Sequence, residues 1–143
     1  MTLNVEHLLR TADTLEQALL AIERHTSRND VLFDLYRNAA IKSFDLSLET
    51  AGKLLRKALK GYSGSPREVD KWVFNDVLRH AGKHGLMNAA EVERWLAYQT
   101  NRNNTAHDYG EGFASDTLKL LPAYLQDVRA LAPEIQKAFD AAA

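Results

Sequence analysis

The chain has 143 residues, a formal net charge of −1 from 18 Lys and Arg against 19 Asp and Glu, and no cysteine. That length suits one domain, residues 1–143, able to build a hydrophobic core without staples, and the missing cysteines exclude a disulfide framework. Near-neutrality excludes a general electrostatic attraction to nucleic acid, so any such contact must come from a local basic patch or a composite site. The opening residues MTLNVEHLLR carry charges and lack an apolar signal core, and no run approaches the ~20 apolar residues of a membrane span. A soluble, cytoplasmic protein is expected.

Helical periodicity runs through nearly the whole chain, with no clear strand alternation. A first helix is expected over residues 3–25, with Val5, Leu8, Leu9, Ala12, Leu15, Leu19 and Ile22 on one face. The second, over about 29–60, carries the longest stripe: Leu32, Tyr36, Ala40, Phe44, Leu48, Ala51, Leu55 and Leu59 recur every three or four positions. Gly61 supplies its stop. In GYSGSPRE, Ser65 can cap, Pro66 suits the first helical position and Glu68 completes a capping box, which predicts a third helix to Lys83, ended by Gly85. Asn88 with Glu91 repeats the cap and opens a fourth helix with Val92, Trp95 and Leu96 inward. After the turn-rich GEGFAS, Ser115 or Asp116 can cap a last helix carrying Leu118, Leu121, Leu125, Val128, Leu131, Ile135 and Phe139, with kinks or breaks expected at Pro122 and Pro133. The sum is an all-α chain: an antiparallel four-helix bundle with an additional helix.

The fourth helix runs into YQTNRNNTAHDYG, residues 98–110, which concentrates hydrogen-bonding and ionisable groups. On a regular helix Arg102 and His107 stand about 140° apart around the axis. Asn103 shares a face with His107, and Arg102 shares one with Tyr109. Either the helix frays near Thr105 and the histidine swings back, or a pocket forms where this segment meets a second copy of itself across a two-fold axis. Such a seam suits RNA cleavage. A histidine can take a proton from a ribose 2′-hydroxyl, and an always-charged arginine can stabilise the phosphate as charge builds, with no metal required. The plainer alternative pairs Arg102 with Asp108, caps the helix with Asn101 or Asn104, and leaves His107 as a polar terminus.

Elsewhere, Asp45 and Glu49 lie four apart on one helical face, with Lys53 four further on. They read as an intrahelical salt-bridge row or as a buried polar contact to Arg102 that supports the site. His80 and His84 have metal-ligand spacing without an evident third ligand, and read as a solvated face near a helix end. Trp72 and Trp95 read as core or interface aromatics.

Arg102, Asn103, His107 and Tyr109 match an R-x4-H-x-Y signature with a polar residue after the arginine, and here the chain resembles the HEPN family (higher eukaryotes and prokaryotes nucleotide-binding). The run RNAAIKSFDLSLETAGKLLRKAL, with Phe44, Asp45, Glu49 and Lys53, is similar to the second helix of the HEPN branch paired with minimal nucleotidyltransferases. SPREV, the W-x6-RN spacing and the late leucine-rich helix are similar to that branch as well. Gly52-Lys53 departs from its usual Trp-Lys, which affects local packing. The resemblance implies a homodimeric, metal-independent ribonuclease toxin of a toxin–antitoxin pair, needing no cofactor. It implies Arg102 and His107 as catalytic residues, Asn103 as a supporting polar contact, and Tyr109 as the residue to which a cognate nucleotidyltransferase antitoxin transfers AMP (AMPylation). A nucleotide there would block RNA by bulk and by negative charge. The other reading of the branch is a non-catalytic subunit that presents substrate to the nucleotidyltransferase.

Overall fold

The computed structural model describes residues 3–27, 29–107 and 111–142, with backbone only at 105–107, 111 and 113. Six helices follow one another: α1 Glu6–Arg24, α2 Val31–Lys60, α3 Pro66–Lys71, α4 Phe74–Lys83, α5 Ala89–His107 and α6 Glu111–Ala142. No strand occurs among the described residues. The long helices α1, α2, α5 and α6 form the antiparallel bundle. α2 packs on α1 and α6, and α4 bridges α2 to α5. The additional helix is the broken pair α3 and α4.

Local chemistry sets most boundaries. Asp30 caps α2 by accepting a 2.8 Å hydrogen bond from the Phe33 backbone N–H. Asn88 and Glu91 form the expected reciprocal box, with Glu91 N–H donating to Asn88 Oδ1 at 2.8 Å and Asn88 N–H donating to Glu91 Oε1 at 2.9 Å. Gly85, at φ 81°, ends α4 in the left-handed conformation open to glycine. Its N–H reaches the Gly82 carbonyl and the Leu86 N–H reaches Ala81, which satisfies the last carbonyls of the helix.

Five expectations are corrected. The helix expected from Ser65 to Lys83 is broken at Trp72 and Val73, whose backbones are extended. The break lets the Trp72 ring lie flat on His80. The Ser65 side chain makes no cap hydrogen bond, although Pro66 does open α3. α6 begins at Glu111, so Ser115 and Asp116 lie inside it rather than capping it. Pro122 and Pro133 lie within one continuous helix. The lost backbone bonds are offset by burial along α6 of Leu121, Tyr124, Val128, Leu131 and Ile135. Finally, the buried stripes are narrower than the sequence pattern, for Leu9 and Leu32 face outward.

The centre of the core is aromatic. Phe44 of α2, Trp95 and Tyr98 of α5, and Tyr124 of α6 meet edge-to-face, with centroids 4.8 to 5.7 Å apart. Tyr124 donates its hydroxyl to Ser47 Oγ at 2.7 Å, so the polar atom it buries is satisfied.

Candidate functional site

α5 carries the conspicuous segment and is pinned to α6 by a ladder of polar contacts. The Arg94 guanidinium donates to Asp127 in a fork, Nε to Oδ2 at 2.8 Å and Nη2 to Oδ1 at 2.9 Å. One turn on, the buried Tyr98 hydroxyl donates to Asp127 Oδ2 at 2.5 Å. A turn further, Thr117 Oγ1 donates to Asn101 Oδ1 at 2.9 Å. Burial and the Asp127 carboxylate both raise the Tyr98 phenol above its ordinary range, and Asp127 likewise stabilises the charged Arg94. These bonds fix the rotation and axial register of α5, and with them the direction of everything that follows on it.

Arg102, half-buried and four residues past Tyr98, consequently lies beside Asp45 of α2. The two interact electrostatically. Asp45 is half-buried, and its Oδ1 is fully covered with no hydrogen-bond partner among the described residues. Burial raises the Asp45 carboxyl above the usual range, while Arg102 and then Lys42 pull it back. The Arg102 charge also acts on the buried Tyr124 phenol, which burial raises. An arginine on the bundle wall is thus held near a carboxylate whose covered oxygen has no hydrogen-bond partner among the described residues, and burial and the cation act on that carboxylate in opposite directions.

The other expected site residues separate. Asn103 is exposed and accepts from Gln99 Nε2 at 3.4 Å. Glu49 is exposed and pairs with Lys53 at 3.3 Å in the salt-bridge row, away from Arg102. α5 stays helical through His107, so Arg102 and His107 stand about 140° apart around its axis. Asp108 and Tyr109 lie outside the described residues. At the same end of the bundle, the first turns of α2 and α6 enclose an open cavity of about 580 Å³, lined in part by Phe33, Asp34, Arg37 and Leu118. No three His, Asp or Glu side chains converge to hold a metal ion among the described residues.

The positioning residues Arg94, Tyr98, Thr117, Tyr124 and Asp127 were not singled out by sequence. Arg94 and Tyr98 carry a signal, two polar-tipped residues four apart beside Trp95, but Asp127 reads as an ordinary solvent-face acid between Leu125 and Val128. Among the described residues no helix is long and apolar enough to cross a membrane.

The model of the family described as nucleotidyltransferase substrate binding protein like matches residues 5–137. A Haemophilus influenzae protein named probable ribonuclease HepT is 26% identical over 112 residues, covering 76% of this chain and 75% of its own. A solved Haemophilus influenzae structure, described as having the fold of a substrate binding domain of a nucleotidyltransferase, superposes with a TM-score of 0.79 at 23% identity, over 92% of this chain and 98% of that one. A Thermus thermophilus structure superposes with a TM-score of 0.70 at 23% identity, over 90% and 98%. The chain belongs to the nucleotidyltransferase substrate binding protein-like family, the HEPN branch that the residues around Arg102 and along α2 resemble.

Proposed function

We propose that the protein is a metal-independent endoribonuclease, the toxin of a toxin–antitoxin pair, with Arg102 and His107 as catalytic residues. The observation that carries this reading is Arg102 held at the incompletely satisfied carboxylate of Asp45, five residues before His107 on the same helix. The relative named as a probable ribonuclease supports it. In the reaction His107 takes the proton of a ribose 2′-hydroxyl and the 2′-oxygen attacks the adjacent phosphorus. The bond to the 5′-oxygen breaks, that oxygen takes up a proton, and a 2′,3′-cyclic phosphate remains. Arg102 stabilises the phosphoryl oxygens as charge accumulates.

A regular α5 keeps Arg102 and His107 off a common face, so a complete site calls for a second copy. The outer face of α2 supports a homodimer: Leu35, Ala39 and Leu46 lie within about 40° of one another, and Leu35 and Leu46 are 59% and 46% exposed. Asp45 stands about 80° or more around α2 from this stripe, with Lys42 between them. Control is assigned to a cognate nucleotidyltransferase that transfers AMP from a nucleoside triphosphate to the Tyr109 hydroxyl, releasing pyrophosphate.

The test is cleavage of total RNA in EDTA by the purified chain and by its His107→Ala and Arg102→Ala variants, each checked for helical content. Loss of a proton-transfer group lowers the rate by about 10²–10⁴, and full cleavage by His107→Ala would overturn the assignment. Co-expression with the neighbouring nucleotidyltransferase is expected to add whole AMP units to Tyr109 and to abolish cleavage. The family description favours a second reading, a non-catalytic subunit that presents substrate to the nucleotidyltransferase; a folded dimer with neither cleavage nor added mass selects it.

A further inference from the structure

Four aromatic rings form a row at the end of the bundle opposite to the C-terminus of α5. Trp72 stacks on His80 with centroids 3.8 Å apart and planes within 6°. Tyr62 stacks on His84 at 4.7 Å and 13°. The two imidazoles, one turn apart on α4, face each other at 6.5 Å and 17°. This arrangement is the opposite of the core, where the rings of Phe44, Trp95, Tyr98 and Tyr124 meet at 64° to 89°. Core rings fill volume edge-to-face, whereas the outer row stacks face to face, Trp72 on His80 and Tyr62 on His84, so the ring surface it offers is the exposed part of Tyr62 and the space between the two imidazoles. Tyr62 is 47% exposed, and Trp72, His80 and His84 are half-buried. The imidazole separation is close to twice the ~3.4 Å rise of stacked bases, the room that one inserted planar ring needs.

The surroundings are basic in a chain whose formal net charge is −1. Residues 56–84 hold seven Lys and Arg against three carboxylates. Each carboxylate already has a partner: Asp70 with Lys60, Glu68 with Lys71, and Asp76 with Arg79. Arg56 donates to the Val69 carbonyl, which leaves Lys57, Arg67 and Lys83 as cations without a carboxylate partner among the described residues. Aromatic surface in a segment with uncompensated cations is what an unpaired polynucleotide requires, with bases stacking on rings and phosphates meeting the positive field.

We propose that the Trp72–His80–His84–Tyr62 row and its flanking cations form a second RNA-contacting site, which stacks unpaired bases of the strand and anchors it away from the scissile phosphate. Lys60, beside the row, lies about 22 Å along the α2 axis from Asp45, a span within the ~4–16 nucleotide footprints of single-strand binding surfaces. The identification of that strand as a substrate rests on the ribonuclease reading; the stacking site does not.

The test is fluorescence anisotropy with a dye-labelled single-stranded oligouridylate of about 16 nucleotides, bound to the full chain carrying His107→Ala so that the probe stays intact. Adding Tyr62→Ala and His84→Ala is expected to weaken binding about tenfold or more, since each lost ring removes a stacking partner for a base. The separate pair Lys57→Gln and Lys83→Gln is expected to flatten the salt dependence while far-UV circular dichroism stays unchanged. Binding of equal strength in the ring variant would overturn the inference while leaving the ribonuclease reading intact, and so would loss of nucleotidyltransferase binding in its place. Weakened binding by a chain whose parent form cleaves no RNA would uphold the stacking site and remove the ribonuclease reading. A parent chain that binds no RNA would overturn both.

Discussion

Asp45 on α2 and Arg102 on α5 interact across the bundle, yet the covered Oδ1 of the carboxylate has no hydrogen-bond partner among the described residues. A carboxylate whose proton is favoured by burial, next to a cation that does not fully compensate, is a place where stability has been given up, which is common where a site must accept a ligand.

Asp45→Asn tests this directly. The folded state raises the Asp45 carboxyl above its unfolded value. The fold therefore favours the protonated group, and the charged group costs stability as pH rises through the raised folded value. Asp45→Asn is expected to be more stable than the parent at pH 7, by about 1 kcal/mol at most. The gain should vanish below about pH 4, where the aspartate is protonated in both states. Thermal melts at the two pH values check this, and a gain that persists in acid would assign the effect to packing. RNA binding should change as well, because the local charge beside Arg102 has changed.

Asp127 is expected to be the main fastener of the motif helix. Asp127→Ala leaves the buried Tyr98 hydroxyl without its acceptor and Arg94 without its fork. The expected loss is about 2–3 kcal/mol, since deleting one partner of a buried bond leaves the other desolvated, or roughly 5–10 °C in melting temperature. Cleavage should fall by more than the folded fraction does, because α5 loses the register that aims Arg102. A melting temperature within a degree of the parent would show that packing alone sets the register.

The outer stripe of α2 gives a prediction about assembly. Leu35→Glu together with Leu46→Glu places two charges on exposed positions, so the monomer fold should be retained. If the stripe is the dimer seam, sedimentation should show a dimeric parent and a monomeric variant, with cleavage lost in the variant. A variant that stays dimeric would move the seam elsewhere.

What was legible in the sequence follows from the range of each interaction. Helix stripes and the Asn88–Glu91 box depend on residues three or four apart, and both were readable. The break at Trp72 was not, because the stack on His80 that goes with it is a contact made in three dimensions against a continuous helical pattern. That stack half-covers His80, and a second one, with Tyr62, half-covers His84, where their spacing suggested a solvated face. At the site, Arg102 and its approach to Asp45 were visible as an expectation, but Asp127 was hidden because a lone acid on a long amphipathic helix looks the same whether it meets water or a buried tyrosine.

Gly52 offers the sharpest contrast between local and tertiary reasoning. In the interior of α2, replacing glycine with alanine should by propensity alone stabilise the helix by about 1 kcal/mol. A Cβ at this position, however, would stand 2.5 Å from Phe74 Cε2 and 3.0 Å from Cδ2. From α4, Phe74 fills the place that a large side chain at position 52 would take, which accounts for Gly-Lys where the resembling branch has Trp-Lys. Gly52→Ala is therefore expected to destabilise, by up to about 2 kcal/mol net, because overpacking a closed contact costs roughly 1–3 kcal/mol against the propensity gain of about 1 kcal/mol. In a Phe74→Ala background the obstruction is gone, and Gly52→Ala should become stabilising by about the propensity value. Chemical denaturation of the four proteins measures this coupling, and additive effects would mean that the Phe74 ring swings aside freely and that α4 is held to α2 by other contacts.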